Sequence, residues 1–275
     1  MAMIFCPLYS GSSGNALFVQ AGRTRLLIDA GLSGKMVVGA LTAIGVDPET
    51  LDGLLITHEH SDHIKGAGVL CRKYHLPVYA TSATWQAMAH HLGEIPMGLR
   101  REFEKGDEFY IGEAGISPFP IPHDAAGPVG YRVWHGSASL STATDLGHFT
   151  KGVLDHIAGS DLVLLESNHD PDMLRANPHY SQALKNRILS NKGHLSNESC
   201  ALALEQLVNT GVRHVVLGHL SGENNLPELA YNTSCHHLLK IGLTPGVDVT
   251  VDMAWRDRVG QVYTLENTFA AGASL

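Results

Sequence analysis

One stretch constrains this chain more than any other: residues 54–64, Leu-Leu-Ile-Thr-His-Glu-His-Ser-Asp-His-Ile. An apolar run that reads as a buried strand, 51–56, stops where Thr57, His58, Glu59, His60, Ser61, Asp62 and His63 begin. Such a cluster of imidazoles and carboxylates is poor core material, because burying it unpaired is costly. The plainer reading is a polar turn that caps a following helix through Ser61 or Asp62. The density of histidine argues against it. On a loop after a strand, His58 and His60 can turn toward one point, while Asp62 and His63 serve a second point nearby. That is the ligand supply for two divalent metals about 3.5–4 Å apart. Imidazole and carboxylate without thiolate suit Zn²⁺, Mn²⁺ or Fe.

Patterning along the chain supplies sheets to carry this loop. Strand-like segments fall at 3–9, 15–21, 24–30 and 77–80, with longer ones through 108–121 and 129–145. Helical patterning marks 34–45, 64–74 and 82–92. Beyond residue 150 the pattern alternates: helix 151–158, strand 161–167, helices 180–190 and 197–210, strand 214–219, helix 227–241, strand 247–254. Mixed strands followed by βα units predict α/β layers. No linker-like stretch interrupts residues 1–275, which predicts a single domain with two halves meeting near residue 140.

Histidine is over-supplied, with 17 copies in 275 residues, and it is the commonest metal ligand. The net charge of −8 argues against a broad basic face for polyanions. Cys6, Cys71, Cys200 and Cys235 are scattered, without C-x-x-C spacing, and suit reduced thiols. No apolar run reaches the roughly 18 residues of a membrane span. The first residues lack the basic start of a signal peptide, so a cytoplasmic location is expected, with no membrane partner. A homodimer is left open.

The 57–63 segment resembles the signature of the metallo-β-lactamase fold superfamily, and further motifs follow in that superfamily's order. "LLIDAG" resembles the first motif, which implies that Asp29 orients the histidine loop from behind the ligands. "IPHDAAGPVGY" implies His123 as a third ligand of the first metal, beside His58 and His60. "STATDLG" implies Asp145 as a carboxylate bridging both metals, and "VVLGHLS" implies His219 as the last ligand of the second, with Asp62 and His63. The fold implied is an αββα four-layer sandwich of two mixed sheets flanked by helices.

"LLESNHD" and "NKGHLSNESCALAL" resemble the nuclease branches of the superfamily. The resemblance implies that Glu166 holds His194 as an imidazolium that protonates the leaving oxygen, with Asp62 also among the catalytic groups. Together with "SGSSGNA" and "GHLSGENN", these motifs look most like the YycJ/WalJ-like subfamily. That group implies a zinc-dependent phosphodiesterase, a DNA exonuclease in preference to an RNase, whose nucleophile is a hydroxide bridging the two metals. Asn15 and the serines at 10, 12 and 13 are expected around the site, and His169 at the substrate or on the surface. With two such cations, two carboxylates and a hydroxide, the first shell carries about +1, enough to draw a phosphodiester without a basic field. Lys185, Arg187, Lys192, Arg100 and Arg101 are candidates for backbone contacts. A small-molecule hydrolase of the same fold (lactonase, phosphotriesterase or β-lactamase-like) is the nearest alternative, because substrate choice lies in the rim. A di-iron redox protein would carry an acid in place of His60, and a non-catalytic metal scaffold would not need the full ligand set.

Overall fold

Short runs of leucine, valine and isoleucine, each closed by a turn, build two seven-stranded sheets in the computed structural model, which describes residues 2–266. β1 (Met3–Tyr9), β2 (Ala16–Ala21) and β3 (Thr24–Ile28) form an antiparallel meander. α1 (Gly34–Ala43) crosses over to β4 (Gly53–Leu55), which lies parallel to β3. α2 (Ser61–Ile64) and α3 (Ala67–Tyr74) lead to β5 (Val78–Thr81), and α4 (Ser82–Leu92) leads to β6 (Arg100–Phe103), both strands again parallel.

The second sheet repeats this plan. β7 (Phe109–Ile111), β8 (Ala114–Pro120), β9 (Val129–His135) and β10 (Ala138–Ala143) are antiparallel. After α5 (Lys151–Ile157), β11 (Leu162–Glu166) joins β10 in parallel. α6 (Pro171–Ala176), α7 (Gln182–Ile188) and α8 (Asn197–Asn209) precede β12 (His214–Gly218), and α9 (Pro227–Lys240) precedes β13 (Thr250–Met253). β14 (Tyr263–Leu265) returns to pair with β1. Each sheet therefore switches from antiparallel to parallel pairing at one strand, β3 in the first and β10 in the second.

Parallel strands covered on both faces read as continuous apolar runs, as Leu162–Leu165 and Val215–Leu217 do. Between the sheets, Phe5, Val19, Leu26 and Ile28 meet Ile116, Tyr131, Leu140 and Leu164. On the outer faces, Val37, Leu41 and Leu70 cover the first sheet, and Leu204, Leu207 and Leu238 cover the second. α8 shows how the pattern works: its N-cap Ser196 accepts from the Ser199 amide, and Cys200, Ala203, Leu204 and Leu207 are buried along one stripe. These are the four αββα layers that the sequence predicts.

Several boundaries differ. The chain passes between sheets at 104–108, before β7, and not near residue 140. Apolar alternation shows that a strand exists but not which sheet it joins. The stretches 108–121 and 129–145 each fold into shorter strands. β6 is an edge strand with three exposed charged residues, α6 is short, and β14 is three residues long. None of them presents enough apolar period to be read. α2 begins at Ser61 with His60 as its N-cap, so Asp62 and His63 sit on a helical turn, not on a loop.

Leu164 is fully buried between the sheets. Leu164→Ala is expected to lower unfolding free energy by about 2–5 kcal/mol in denaturant titration. A loss under about 1 kcal/mol would show that the inter-sheet layer collapses around the cavity.

Candidate active site

The strand ends of both sheets deliver the site. At the end of β3, Asp29 takes φ 62°, a left-handed conformation that costs a non-glycine residue about 1–3 kcal/mol. The turn brings its buried carboxylate under the histidine segment. Oδ1 accepts from the Thr57 amide and Oδ2 from the Thr57 hydroxyl, both at 2.8 Å. Oδ2 also lies 2.8 Å from His63 Nδ1. The Thr57 hydroxyl, having donated to Asp29, can accept from His58 Nδ1 at 3.0 Å. Both imidazoles thus have their Nδ1 atoms committed, and His58 Nε2 is left free. Gly31 permits this approach, since a Cβ there would lie 1.6 Å from the Asp62 carbonyl oxygen. Asn15 closes the other side: its Oδ1 accepts from the Gly11 amide, and its Nδ2 lies 3.1 Å from His63 Nε2.

The second sheet mirrors this arrangement. Asp145, just beyond β10, has φ 58°, and His219, just beyond β12, has φ 55°. Glu166, the last residue of β11, is fully buried. Its Oε2 accepts from the amides of Leu146 (2.6 Å) and Leu195 (3.1 Å). Its Oε1 accepts from His219 Nδ1 at 2.7 Å and His194 Nδ1 at 2.9 Å. Both rings therefore turn Nε2 away from Glu166. His123 donates Nδ1–H to the Gly193 carbonyl at 3.2 Å, which leaves Nε2 facing His60 Nδ1, also at 3.2 Å.

Ligand atoms of His58, His60 and His123 lie within 4.8 Å of one another, as do those of Asp62, His63 and His219. Asp145 stands between the two groups. Its Oδ2 is 3.3 Å from His63 Nε2, and its Oδ1 is 3.7 Å from His123 Nε2 and 3.5 Å from His219 Nε2. His58 Nε2, His219 Nε2 and Asp145 Oδ2 are buried without a hydrogen-bond partner. Buried orphans of this kind are rare; His58 and Asp145 share one cluster of potential ligands and Asp145 and His219 another, which fits the coordination of cations. The electrostatics agree. Burial, aided by the neighbouring His63, holds His58 well below the ordinary histidine value, and burial likewise lowers His123, so both are neutral and ready to ligate. Burial also opposes charge on His63 and His219, but carboxylates outweigh it. Asp145, Asp29 and Asp62 hold His63 well above its usual value, and Asp145, Asp62 and Glu166 push His219 up to about 10. The negative field that traps protons there, in the absence of metal, is one that would hold divalent ions.

Above these groups opens a cavity of about 400 Å³, walled in part by Ser12, Asn168, Tyr180, Arg187, His194 and Ser221. Of the five basic candidates only Arg187 reaches this wall, where it pairs with Asp124. Lys185 bonds the Arg175 carbonyl, Arg100 pairs with Glu102, and Arg101 bonds the carbonyls of Gly98 and Arg100. Lys192 is exposed and absent from the wall. Ser10 is buried beneath the site, its Oγ accepting from the His219 amide, and Ser13 is exposed outside the wall. His169 is not on the surface: it is 1% exposed, bridged to Ser196, and burial lowers it to about 4. It follows Glu166 by three residues, and its backbone carbonyl accepts from the Asn197 amide. Asn168, Tyr180 and Ser221 escaped the sequence reading as wall residues, although Asn168 and Ser221 stand inside the motifs quoted above.

The sequence profile of a family described as a beta-lactamase superfamily domain matches residues 24–220. The exodeoxyribonuclease WalJ of Streptococcus pneumoniae is 43% identical over 246 residues, covering 89% of this chain and 91% of that protein. The exodeoxyribonuclease YycJ of Bacillus anthracis is 43% identical over 230 residues, covering 84% and 87%. The crystal structure of Zn²⁺-bound PqqB from Methylobacterium extorquens superposes with a TM-score of 0.72 at 17% identity, covering 95% of this chain and 100% of that one, a likeness of fold.

Asp29→Ala removes the carboxylate that orients Thr57 and His63. Affinity for a divalent metal is expected to fall about 10- to 100-fold in chelator competition, with far-UV circular dichroism retained. Unchanged affinity in the folded variant would show that the histidine segment orients itself.

Proposed function

The chain belongs to the beta-lactamase superfamily, and from that membership and the geometry of its site we infer that it is a metal-dependent hydrolase of phosphodiester bonds, a nuclease that shortens DNA from an end. In this reading His58, His60 and His123 hold one divalent ion, Asp62, His63 and His219 hold a second, and Asp145 serves both. Zinc suits this imidazole-carboxylate set, with manganese or iron as substitutes. When bound, such ions supply Lewis acidity toward the phosphoryl oxygens and acidify a water.

One observation carries the reading beyond metal binding: a single oxygen of Glu166 accepts from both His219 and His194. The carboxylate that orients His219 therefore also positions His194, which lies outside both the His58–His60–His123 and the Asp62–His63–His219 groups. Burial opposes charge on His194, but Glu166 and then Asp145 hold its value above the ordinary one. With Nδ1–H fixed on Glu166, Nε2–H is the proton that His194 can deliver in the cavity it lines. An alkoxide leaving from phosphorus needs such a proton. Asp62, one quarter exposed at the cavity wall, would orient a water in this reading. DNA as substrate is supported by the kinship with WalJ and YycJ, both exodeoxyribonucleases. A cytoplasmic location suits four free, buried cysteines. Among the described residues no helix is long and apolar enough to cross a membrane.

Metal analysis combined with assays on end-labelled DNA, end-labelled RNA, bis-p-nitrophenyl phosphate and a lactone panel tests the reading. Hydrolysis of DNA from an end is expected. Activity on lactones alone would replace it with a small-molecule hydrolase. His58→Ala and Asp145→Ala are expected to abolish turnover and lose metal. His194→Ala is expected to slow turnover by roughly 10²–10⁴ with metal retained. A folded His194→Ala protein with normal rates would remove the proton-donor role.

A further inference from the structure

A second cleft of about 310 Å³ opens beside the catalytic cavity, and Ser221 lines both. Its walls come from the 220–227 loop and from the segment after β13, Ala254 to Arg258. The backbone ties it to the site: Ser10 donates its amide to the Trp255 carbonyl at 2.8 Å, and the Ser10 hydroxyl accepts from the His219 amide at 2.9 Å. The cleft is therefore fixed relative to the catalytic groups.

Its chemistry differs from the rest of this acidic molecule. Arg258 lies over the Trp255 ring, with its guanidinium carbon 3.8 Å from the centroid. Arg256 runs between two glycines. A Cβ on Gly11 would lie 2.6 Å from Arg256 Cβ, and a Cβ on Gly222 would lie 2.0 Å from Arg256 Nη1. Both loops that frame the site thus leave room for this one side chain. No carboxylate pairs with either guanidinium among the described residues. Asp257 lines the same cleft, so two positive charges face one negative charge. In a chain of net charge −8, this is a local basic surface carrying an aromatic ring.

We propose that this Trp255–Arg256–Arg258 cleft binds the single-stranded nucleic acid flanking the scissile phosphodiester, as the strand leaves the catalytic cavity past Ser221. Arg256 meets a backbone phosphate, and a base stacks on the Trp255–Arg258 pair. Stacking on an aromatic-guanidinium platform is tolerant of sequence, which suits an enzyme that must process any strand. The inference rests on the nuclease reading and adds a subsite to it.

The test compares KM for a single-stranded oligonucleotide with KM for bis-p-nitrophenyl phosphate, which is too small to reach the cleft. In metal-loaded Trp255→Ala and Arg258→Gln, the oligonucleotide KM is expected to rise about 5- to 100-fold relative to that of the small diester. Trp255→Phe, which keeps a stacking face, is expected to restore most of the loss and guards against a merely misfolded Trp255→Ala. Equal KM ratios in wild type and variants would overturn the subsite while leaving the nuclease intact. Wild-type protein that cleaves no oligonucleotide would overturn both. Polyglutamate competing as well as oligonucleotide would assign the cleft to acidic peptides and overturn it too.

Discussion

The site depends on a buried carboxylate whose every hydrogen-bonding position is occupied. Burial alone would push Glu166 toward the neutral acid. Instead His194 and His219, through their charge and their hydrogen bonds, hold it down to about 2. Two backbone amides complete its shell. A charge taken out of water carries a penalty of several kcal/mol, and four donors converging on one carboxylate offset it. Those donors come from the Asp145 turn, the 194–195 segment and the end of β12, so satisfying Glu166 also draws three separate parts of the chain together. Removing it would leave two imidazoles unoriented and two amides unsatisfied, which is why its substitution would disturb metal binding and proton transfer at once.

The first sheet solves the same problem with Asp29. Thr57 gives it an amide and a hydroxyl, and His63 gives it a ring proton. Asp29 follows the strand at which the first sheet changes from antiparallel to parallel, and Asp145 follows the corresponding strand of the second. At such a switch, neighbouring connections leave in opposite directions and open a crevice at the strand ends. Both acids occupy left-handed backbone there, and so does His219. The strain is tolerated because each turn is held by several hydrogen bonds from the opposing loop. The imidazoles at these strand ends are therefore oriented by the protein's own hydrogen bonds.

Much of this was legible because the ligand motifs are local. His58, His60, Asp62 and His63 lie within six residues of sequence, and Asp29, Asp145, Glu166 and His219 each stand at or just beyond the end of an apolar run, so strand ends could be found before topology was known. What could not be read is what depends on distant pairing. The sheet joined by residues 108–121 is invisible to alternation, and β6 hides behind three exposed charges. His169, expected at the substrate or on the surface, is buried, which its place in the motif does not reveal. The asparagines of the quoted motifs are a third case. Asn197 and Asn225 exchange amide hydrogen bonds at 2.9 Å, and Asn225 also bonds the carbonyls of Ser167 and Asn168. Their residue type suggests a polar rim, but their work is to lock the loops that follow β11 and β12.

Locking those loops has a consequence for substrate. Asn168 donates to the His219 carbonyl and to Ser12, which ties the wall of the cavity to the loop that carries His219. Arg187 sits on α7 opposite, held to Asp124, the residue after His123. The cavity has the imidazole and carboxylate groups at its floor, one paired guanidinium at its side and the His194 imidazole on its wall. An acidic protein can bind a polyanion under these conditions because attraction is concentrated in a low-dielectric cleft and not spread over the surface. Affinity should then depend on bound metal far more than on the salt-dependent contacts of a broad basic face, whose weakening follows the number of phosphates neutralised.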